Sequence, residues 1–328
     1  MSRPSILAGL AAGAGAAGAG AAAVAVAARR RWQVAPDPTG GRPLELPALE
    51  ELEVTAADGT RLAAAVCGPS EGPLVVLAHG WTADRRTWGP VARRLVGSGH
   101  RVVVWDQRGH GRSGLGPDGA SIGALAGDVA AVLDVLDARG AVLAGHSMGG
   151  MAVLAFAATH PETLAERVGH LLLVATAARS PLPGSPGGWY ERLALATVEH
   201  PLLLALSGHE LTRAFVARQG FGADPPLAAL MAASVPMAAG ARGDFLRSMA
   251  RFDLRAELGA LSVPATVLHG TEDRVIRTEL GRELAAALAG SSLEILSGAG
   301  HQLPFERPDR VAAVVRAASF GPLPGGGR

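Results

Sequence analysis

A single cysteine, Cys67, stands in the whole sequence, and this scarcity excludes a disulfide bond within the chain. It also disfavours a metal site built from cysteine. Cys67 follows the apolar run LAAAV and precedes a turn, which indicates a packed strand residue with no activating group beside it. Lysine and asparagine are absent altogether, and alanine and glycine are abundant. We interpret this as a compositional bias without functional meaning.

Signatures of several other function classes are missing as well. The net charge is +1 and the arginines are scattered, whereas a nucleic-acid-binding surface needs a concentrated basic face. The sequence contains no HExxH motif, no clustered Cys/His pattern, no P-loop and no dinucleotide-binding fingerprint. The Gly-rich stretch GAGAAGAG follows no strand. We therefore expect no metal, no cofactor and no nucleic-acid partner.

Residues 6–28 form an uncharged tract rich in alanine and glycine, and three arginines at 29–31 follow it. The tract is long enough to span a bilayer as a helix, although few of its residues are strongly apolar. A membrane anchor, a cleaved secretory signal and a disordered tail remain open. The anchor is favoured, because arginines after the tract would hold that end in the cytoplasm. We thus expect a membrane-associated protein with its folded domain in the cytoplasm, a secreted or cytoplasmic protein being the alternative.

Beyond the Pro- and Gly-rich residues 35–47, which we interpret as a linker, short apolar runs alternate with longer amphipathic segments. The apolar 48% of the chain suffices for a sizeable core. Segments 52–56 and 61–66 flank Asp58-Gly59, which predicts a β-hairpin. Further strands are predicted at 74–78, 101–105, 141–145, 171–175, 265–269 and 293–296, and helices at 87–98, 122–136, 148–160, 277–288 and 308–318. Apolar strands between amphipathic helices predict an α/β fold, with a mostly parallel sheet flanked by helices.

The alternation breaks between residues 178 and 250, which have a helical pattern, no strand signal and several prolines and glycines. We interpret this segment as a helical cap inserted over the sheet, although extra packing helices would also fit. The predicted organisation is then an N-terminal segment with linker at 1–48, a core at 49–177 and 251–321, the cap at 178–250, and a flexible tail at 322–328.

The stretch AVLAGHSMGGM, residues 141–151, places Ser147 on a turn between a predicted strand and a predicted helix. Ligands of α/β folds bind at the carboxyl ends of the parallel strands. Gly145 and Gly149 complete a G-x-S-x-G pattern, which permits a strained turn that exposes the hydroxyl. This context favours a nucleophilic serine over one that only caps a helix. The amide of Met148 would then point at the oxygen of a reacting carbonyl group.

Five motifs carry a resemblance to a known family: HGWTADRRTW (79–88), WDQRGHGRSG (105–114), GHSMGGM (145–151), GTEDRVI (270–276) and GAGHQLPFERP (298–308). With these motifs in this order, the sequence resembles the α/β-hydrolase fold superfamily, in the branch of cap-bearing serine hydrolases and esterases. The resemblance covers roughly residues 50–320. It implies an enzyme that works without a cofactor.

The resemblance also implies a catalytic triad, because a serine hydroxyl needs a base and the base needs an acid that orients it. Ser147 would be the nucleophile, His301 the base and Asp273 the acid, in the chain order that the family shows. Glu272 is adjacent and could also accept a hydrogen bond. The spacing from Gly270 favours Asp273.

Two backbone amides are implied as the oxyanion hole, those of Trp81 and Met148. The remaining polar residues of the motifs are interpreted as structural, with a charged pair beneath the active-site loops: His110, His146, Asp106, Arg108 and Arg112.

The expected reaction is hydrolysis of a carboxylic ester through an acyl-enzyme. An apolar acyl or alcohol group is expected in the small-molecule substrate, because residues 178–250 are rich in leucine, alanine and methionine. C–C bond hydrolysis, perhydrolysis and acyl transfer could use the same triad, and a catalytically silent ligand-binding protein is the alternative from another class. Relatives that open epoxides or displace halide carry aspartate where Ser147 stands, so these activities are disfavoured.

Overall fold

The computed structural model describes residues 38–182, 237–238 and 240–320. The tract at 6–28, most of the predicted cap at 178–250 and the tail at 322–328 lie outside these ranges, so the predictions made for them stay predictions. None of the helices within the described ranges combines the length and apolar character that crossing a bilayer requires.

One sheet of eight strands lies at the centre of the described structure, in the order β1-β2-β4-β3-β5-β6-β7-β8. The strands are β1 Leu49–Thr55, β2 Arg61–Cys67, β3 Leu74–Ala78, β4 Arg101–Trp105, β5 Ala141–His146, β6 Val168–Val174, β7 Ala265–Gly270 and β8 Ser292–Leu296. Strand β2 is antiparallel to β1 and β4, and all other neighbours are parallel. The predicted hairpin and mostly parallel sheet are confirmed.

Eight α-helices flank this sheet within the described ranges. They are α1 Gly89–Gly97, α2 Ile122–Val135, α3 Met148–Thr159, α4 Pro161–Arg167, α5 Ala241–Ala250, α6 Thr278–Ala287, α7 Leu303–Glu306 and α8 Pro308–Phe320. Helices α1, α2, α3, α6 and α8 lie within a few residues of predicted helices, and α5 ends the segment predicted as a helical cap. Helices α4 and α7 were not predicted, and α4 begins at Pro161, directly after α3. Proline ends a preceding helix but fits the first turn of a new one, and here it does both.

Hydrophobic residues are buried on both faces of the sheet. Neighbouring residues of β3 and β5 alternate between the faces, as the pleat of a strand requires. Val76 and Leu143 pack with α2 and α3 in one cluster, whereas Val75 and Val142 pack with α1 and α8 in the other. Burial on both faces explains why these strands are continuous apolar runs.

Cys67 is buried, and burial raises the pKa of its thiol to about 11, as expected for an inert packed residue.

The described part of the predicted linker lies against α1. There the Arg94 guanidinium donates to the carbonyl of Pro38 over 2.7 Å, and that of Arg93 to the carbonyl of Thr39 over 3.0 Å.

The parallel register brings the carboxyl ends of the central strands to one edge of the sheet. Ala78 of β3 pairs with Gly145 of β5, and His146 of β5 pairs with Val174 of β6. The loops that follow β3, β5, β7 and β8 therefore meet at this edge, which is where the candidate residues were predicted to gather.

Candidate active site

Ser147 occupies the sharp turn between β5 and α3. Its backbone has φ +55° and ψ −120°, a conformation that residues with a side chain rarely adopt. Two hydrogen bonds hold this strained residue: its amide donates to the carbonyl of Val174 over 3.0 Å, and Thr176 Oγ1 donates to its carbonyl over 2.8 Å. The surrounding structure thereby keeps the hydroxyl at the tip of the turn.

Glycine is required on both sides of this turn. A Cβ atom on Gly145 would lie 2.4 Å from the carbonyl oxygen of Gly149, and one on Gly149 would lie 2.4 Å from that of Ala78. Both distances are too short for a side chain. The start of α3 can therefore approach β3 and β5 only with glycine at these positions.

A continuous chain of hydrogen bonds joins the three residues predicted as a triad. His301 Nε2 lies 2.9 Å from Ser147 Oγ, and His301 Nδ1 lies 2.8 Å from Asp273 Oδ2. Because a carboxylate only accepts hydrogen bonds, Nδ1 carries the proton and Nε2 is left to accept from the hydroxyl. This is the tautomer that a general base for serine requires.

Asp273 is buried and surrounded by donors. Its Oδ1 accepts the amides of Val275 and Ile276 over 2.9 Å and 2.8 Å. Burial by itself would raise the pKa of this carboxyl, but the charge interaction with His301 and hydrogen bonds from His269 and His301 outweigh it. The pKa of Asp273 is therefore held well below its usual value.

Glu272, the neighbouring carboxylate, lies outside this arrangement. Its side chain is exposed, and its backbone amide donates to the carbonyl of Ala299 over 2.8 Å. Successive residues of the turn after β7 thus face opposite ways, and only Asp273 contacts His301.

The loop that carries His301 is held from two directions. The buried carboxylate of Glu306 accepts the amides of Gly300 and Gln302, over 2.9 Å and 3.0 Å. From the other side, His146 Nε2 donates to the carbonyl of His301 over 2.8 Å. Sequence reasoning missed the contribution of Glu306. Its place five residues after the candidate base in GAGHQLPFERP was the only local signal.

His146 contacts the backbone of His301, and no hydrogen bond joins its ring to Ser147. Burial, followed by repulsion from His301, lowers the pKa of His146 to about 3, so the ring stays neutral. The structural role expected for it agrees with this position.

The loop after β3 passes close to Ser147 at Gly80, the residue before Trp81. A Cβ atom on Gly80 would lie 3.3 Å from Ser147 Cβ. The next residue, Thr82, has φ +58° and donates its amide to His110 Nε2 over 3.3 Å. Met148 begins α3, and the first amides of a helix have no acceptor within it. Met148 therefore adjoins Ser147 in the chain, and Trp81 adjoins a glycine that lies close to it.

Two further buried histidines tie the loops together. His79 Nδ1 donates to the carbonyl of Gly80 over 2.7 Å, and its Nε2 accepts the amide of Gln107 over 2.9 Å. His110 Nδ1 donates to the carbonyl of Arg108 over 3.0 Å. Burial lowers the pKa of His79 to about 4 and that of His110 to about 3. Both rings are thus neutral structural links at neutral pH.

The charged pair expected beneath the loops has different partners from those in the motif. Arg108 donates two hydrogen bonds of 2.7 Å and 2.6 Å to Asp128, and two of 2.9 Å and 3.5 Å to Asp58. Asp106 instead accepts backbone amides, including that of Arg112 over 3.0 Å. This network joins the β1–β2 turn, the loop after β4 and helix α2.

Within the described ranges, no group of three or more histidine, cysteine, aspartate or glutamate side chains is arranged to hold a metal ion.

Comparison with known proteins places this geometry in a family. The sequence model described as "Alpha/beta hydrolase family" matches residues 75–314, which include every residue of the hydrogen-bonded chain. The sequence is also 30% identical over 267 residues to a non-heme chloroperoxidase of Streptomyces lividans, covering 78% of this chain and 95% of that protein.

Further similarity extends to an enzyme and a solved structure. A bifunctional esterase/perhydrolase of Acinetobacter calcoaceticus is 28% identical over 279 residues, covering 79% of this chain and 95% of that protein. The crystal structure of an enol-lactonase from Burkholderia xenovorans LB400 has a TM-score of 0.68 and 30% identity, covering 81% of this chain and 99% of that one.

Proposed function

Since the chain belongs to the alpha/beta hydrolase family and is a hydrolase, we propose that it cleaves carboxylic esters through an acyl-enzyme formed at Ser147. The observation that carries this proposal is the hydrogen-bonded chain from Ser147 Oγ through His301 to Asp273, with distances of 2.9 Å and 2.8 Å. Nucleophilic catalysis by serine needs a base within hydrogen-bond reach and a third group that orients this base, and the chain supplies both.

In the first half of the reaction, Ser147 Oγ attacks the ester carbonyl carbon while His301 Nε2 takes the hydroxyl proton. Asp273 stabilises the resulting imidazolium through its bond to Nδ1 and remains a carboxylate. The tetrahedral intermediate then expels the alcohol, which receives the proton from His301 Nε2. The acyl group stays on Ser147.

The amides of Trp81 and Met148 are proposed to bind the oxyanion of this intermediate. Their support is that Met148 adjoins Ser147 at the start of α3 and that Gly80, the residue before Trp81, lies close to Ser147. Amides held by a helix start and an anchored loop need no reorganisation when the charge develops, and losing one such donor typically lowers the rate by about 10² to 10³.

The second half returns the enzyme to its resting state. His301 Nε2 takes a proton from water, the resulting hydroxide attacks the acyl carbonyl carbon, and Ser147 Oγ leaves with the proton from His301. The products are the carboxylic acid and the alcohol. No cofactor enters either half-reaction.

The substrate is proposed to be a small ester with an apolar acyl or alcohol group. The composition of residues 178–250 supports this, since the segment is rich in leucine, alanine and methionine. An esterase activity is also named for the relative from Acinetobacter calcoaceticus.

The experiment is hydrolysis of p-nitrophenyl esters of graded acyl length by the purified full-length chain and by Ser147→Ala. We expect the wild type to turn over and the variant to fall by about 10⁶, to background, because the nucleophile is lost. The acyl length with the highest kcat/KM then indicates how long an acyl group the binding pocket accepts.

Labelling with a fluorophosphonate separates the remaining outcomes. A folded wild type that labels at Ser147 but cleaves no ester would contradict the ester substrate and favour C–C hydrolysis or acyl transfer. A folded wild type that neither labels nor turns over would contradict the catalytic proposal and favour a ligand-binding protein.

Perhydrolysis is the second candidate, favoured by the two relatives named chloroperoxidase and esterase/perhydrolase. In this reaction hydrogen peroxide replaces water in deacylation, so the acyl group leaves as a peracid while Ser147 Oγ regains its proton. Peracid formation from a short ester and hydrogen peroxide measures it. A rate equal to that of Ser147→Ala would exclude it.

Association with a membrane through residues 6–28 is a separate proposal, supported by the length of the uncharged tract and the arginines after it. Cell fractionation of the full chain, compared with a chain that starts at residue 32, tests it. Equal release of both chains into the soluble fraction would contradict an anchor.

A further inference from the structure

His269 stands behind the candidate acid and belongs to no sequence motif considered above. It lies on β7, one residue before the strand ends, and its side chain is fully buried. His269 Nε2 lies 2.7 Å from the carbonyl oxygen of Ile276 and 3.3 Å from Asp273 Oδ2. Both of these atoms are acceptors, so Nε2 carries a proton that the two share.

The other ring nitrogen confirms this tautomer by its surroundings. His269 Nδ1 is buried and has no hydrogen-bond partner among the residues that the structure describes. It faces helix α6 at Gly281, where a Cβ atom would lie 2.5 Å from Nδ1. A proton on Nδ1 would therefore face the backbone at Gly281 and have no acceptor among the described residues. The packing of α6 keeps the ring in the orientation that points Nε2 at Asp273.

With His269 included, four donors approach Asp273, two at each oxygen. Three of them make hydrogen bonds of 2.8 to 2.9 Å, and His269 Nε2 lies 3.3 Å from Oδ2. A carboxylate has about four acceptor sites, so each site faces a donor. The titratable rings around it are His269 from β7, His301 from the loop after β8, and His146 behind His301. The side chains of Glu272 and Arg274 on the same turn are exposed.

We infer that His269 is a positioning residue of the catalytic triad, which acts through Asp273 by donating its Nε2–H to the same oxygen that holds His301. The inference rests on the proposed function, since it assumes that His301 is the base for Ser147.

Two effects follow from this donor. It holds Oδ2 in the position from which Oδ2 accepts the hydrogen bond of His301 Nδ1. It also stabilises the charge on Oδ2, so that Asp273 stays a carboxylate that accepts from His301. Without the donor, the His301 ring would be oriented less firmly, and activity would fall.

The experiment compares three substitutions of His269 in the full-length chain. In His269→Gln the amide nitrogen can reach the position of Nε2 and donate from there. His269→Leu lacks a donor, and His269→Asn places its amide nitrogen near the position of Nδ1, one bond short of Nε2. Readouts are kcat and KM on the best p-nitrophenyl ester and the rate of fluorophosphonate labelling at Ser147.

We expect His269→Leu and His269→Asn to lower kcat and the labelling rate about tenfold to a hundredfold, with KM little changed, as for one hydrogen bond to a charged group. His269→Gln should keep kcat and the labelling rate within about threefold of wild type, because it restores the donor. If the leucine variant fails to fold, the asparagine and glutamine variants still make the comparison.

His170→Leu is the matched control. His170 also lies on a strand of the sheet, and its Nε2 forms a hydrogen bond of 3.0 Å with Thr266 Oγ1. It lies near the amino end of β6, away from the edge of the sheet that carries the site. Its replacement should leave kcat and the labelling rate unchanged.

Each outcome decides the inference separately from the proposed function. Folded leucine and asparagine variants with wild-type labelling rates would overturn it, as would a glutamine variant that falls as far as leucine. A similar loss in His170→Leu would also overturn it, because general destabilisation would then explain the effect. A wild type that labels at Ser147 without cleaving esters would contradict only the substrate, since labelling still reports on His269.

Discussion

At the scale of single residues, the two adjacent carboxylates after β7 show how position decides chemistry. Asp273 is buried, accepts two backbone amides and contacts His301, whereas Glu272 points to solvent. Both carry the same functional group. The difference arises because the turn is tight enough for successive side chains to face opposite directions, and only one of these directions leads to the base.

Replacement of these two carboxylates by amides gives a matched pair of predictions. Asp273→Asn removes the acceptor that fixes the His301 tautomer, and we expect kcat to fall by about 10⁴. Glu272→Gln should leave kcat and KM within about twofold, because exposed surface substitutions rarely disturb the structure. Steady-state ester hydrolysis measures both. Comparable losses in the two variants would contradict the assignment of Asp273 as the acid.

At the scale of secondary-structure elements, helix α2 begins at a double cap. Ser121 has an extended backbone, and its Oγ accepts the amide of Ala124 over 3.0 Å. Ser248 Oγ, from helix α5, accepts the amide of Ile122 over 2.9 Å. Since α5 is the described end of the segment predicted as a cap, this contact attaches the end of that segment to the core.

Loss of the first cap should lower stability without touching the site. For Ser121→Ala we expect a decrease of about 1 kcal/mol in the free energy of unfolding, because one first-turn amide loses its acceptor. The denaturation midpoint in urea measures this, and kcat should stay at the wild-type value. An unchanged midpoint would contradict the cap, and a reduced kcat in folded protein would contradict the separation of α2 from the site.

At the scale of the whole molecule, three buried neutral histidines join loops that are far apart in the sequence. His79 links the loop after β3 to that after β4, His110 connects the same two loops at Thr82, and His146 binds the loop after β8. Each ring uses one nitrogen as a donor to a carbonyl group. The edge of the sheet that carries the site is thereby held together by groups that titrate below pH 6.5.

Stability should therefore decrease on mild acidification. Burial lowers the pKa values of His79, His110 and His146 from 6.5 to about 4, 3 and 3. The unfolded chain thus binds more protons than the folded chain as pH falls from 6.5 toward 4. Each histidine then contributes a loss of up to roughly 1.4 kcal/mol per pH unit, and the stability is fully present only above pH 6.5.

Urea denaturation at pH 7.5, 6.0 and 5.0 measures this dependence. His110→Gln is the comparison, since it removes one titrating ring and should make the dependence shallower by about one proton. A free energy of unfolding that does not change between pH 7.5 and 5.0 would contradict the neutral buried rings.

The sequence by itself determined the features that depend on neighbouring residues. Alternating apolar runs predicted the strands and helices, because burial of a strand or helix face imposes its own period. Glycines around Ser147 predicted the strained turn, because that conformation is a local property of the chain. The order of five motifs then pointed to Ser147, Asp273 and His301 before any distance was known.

Only the tertiary structure decided which distant groups support that site. The donor from His269, the carboxylate of Glu306 and the partners of Arg108 were not apparent from spacing, since many polar residues lie near the motifs. Whether a donor reaches an acceptor depends on tenths of an ångström and on strand register and helix packing. Arg108 contacts an aspartate 20 residues away and another 50 away, because the sheet and α2 bring them together, a relation that no local pattern in the chain encodes.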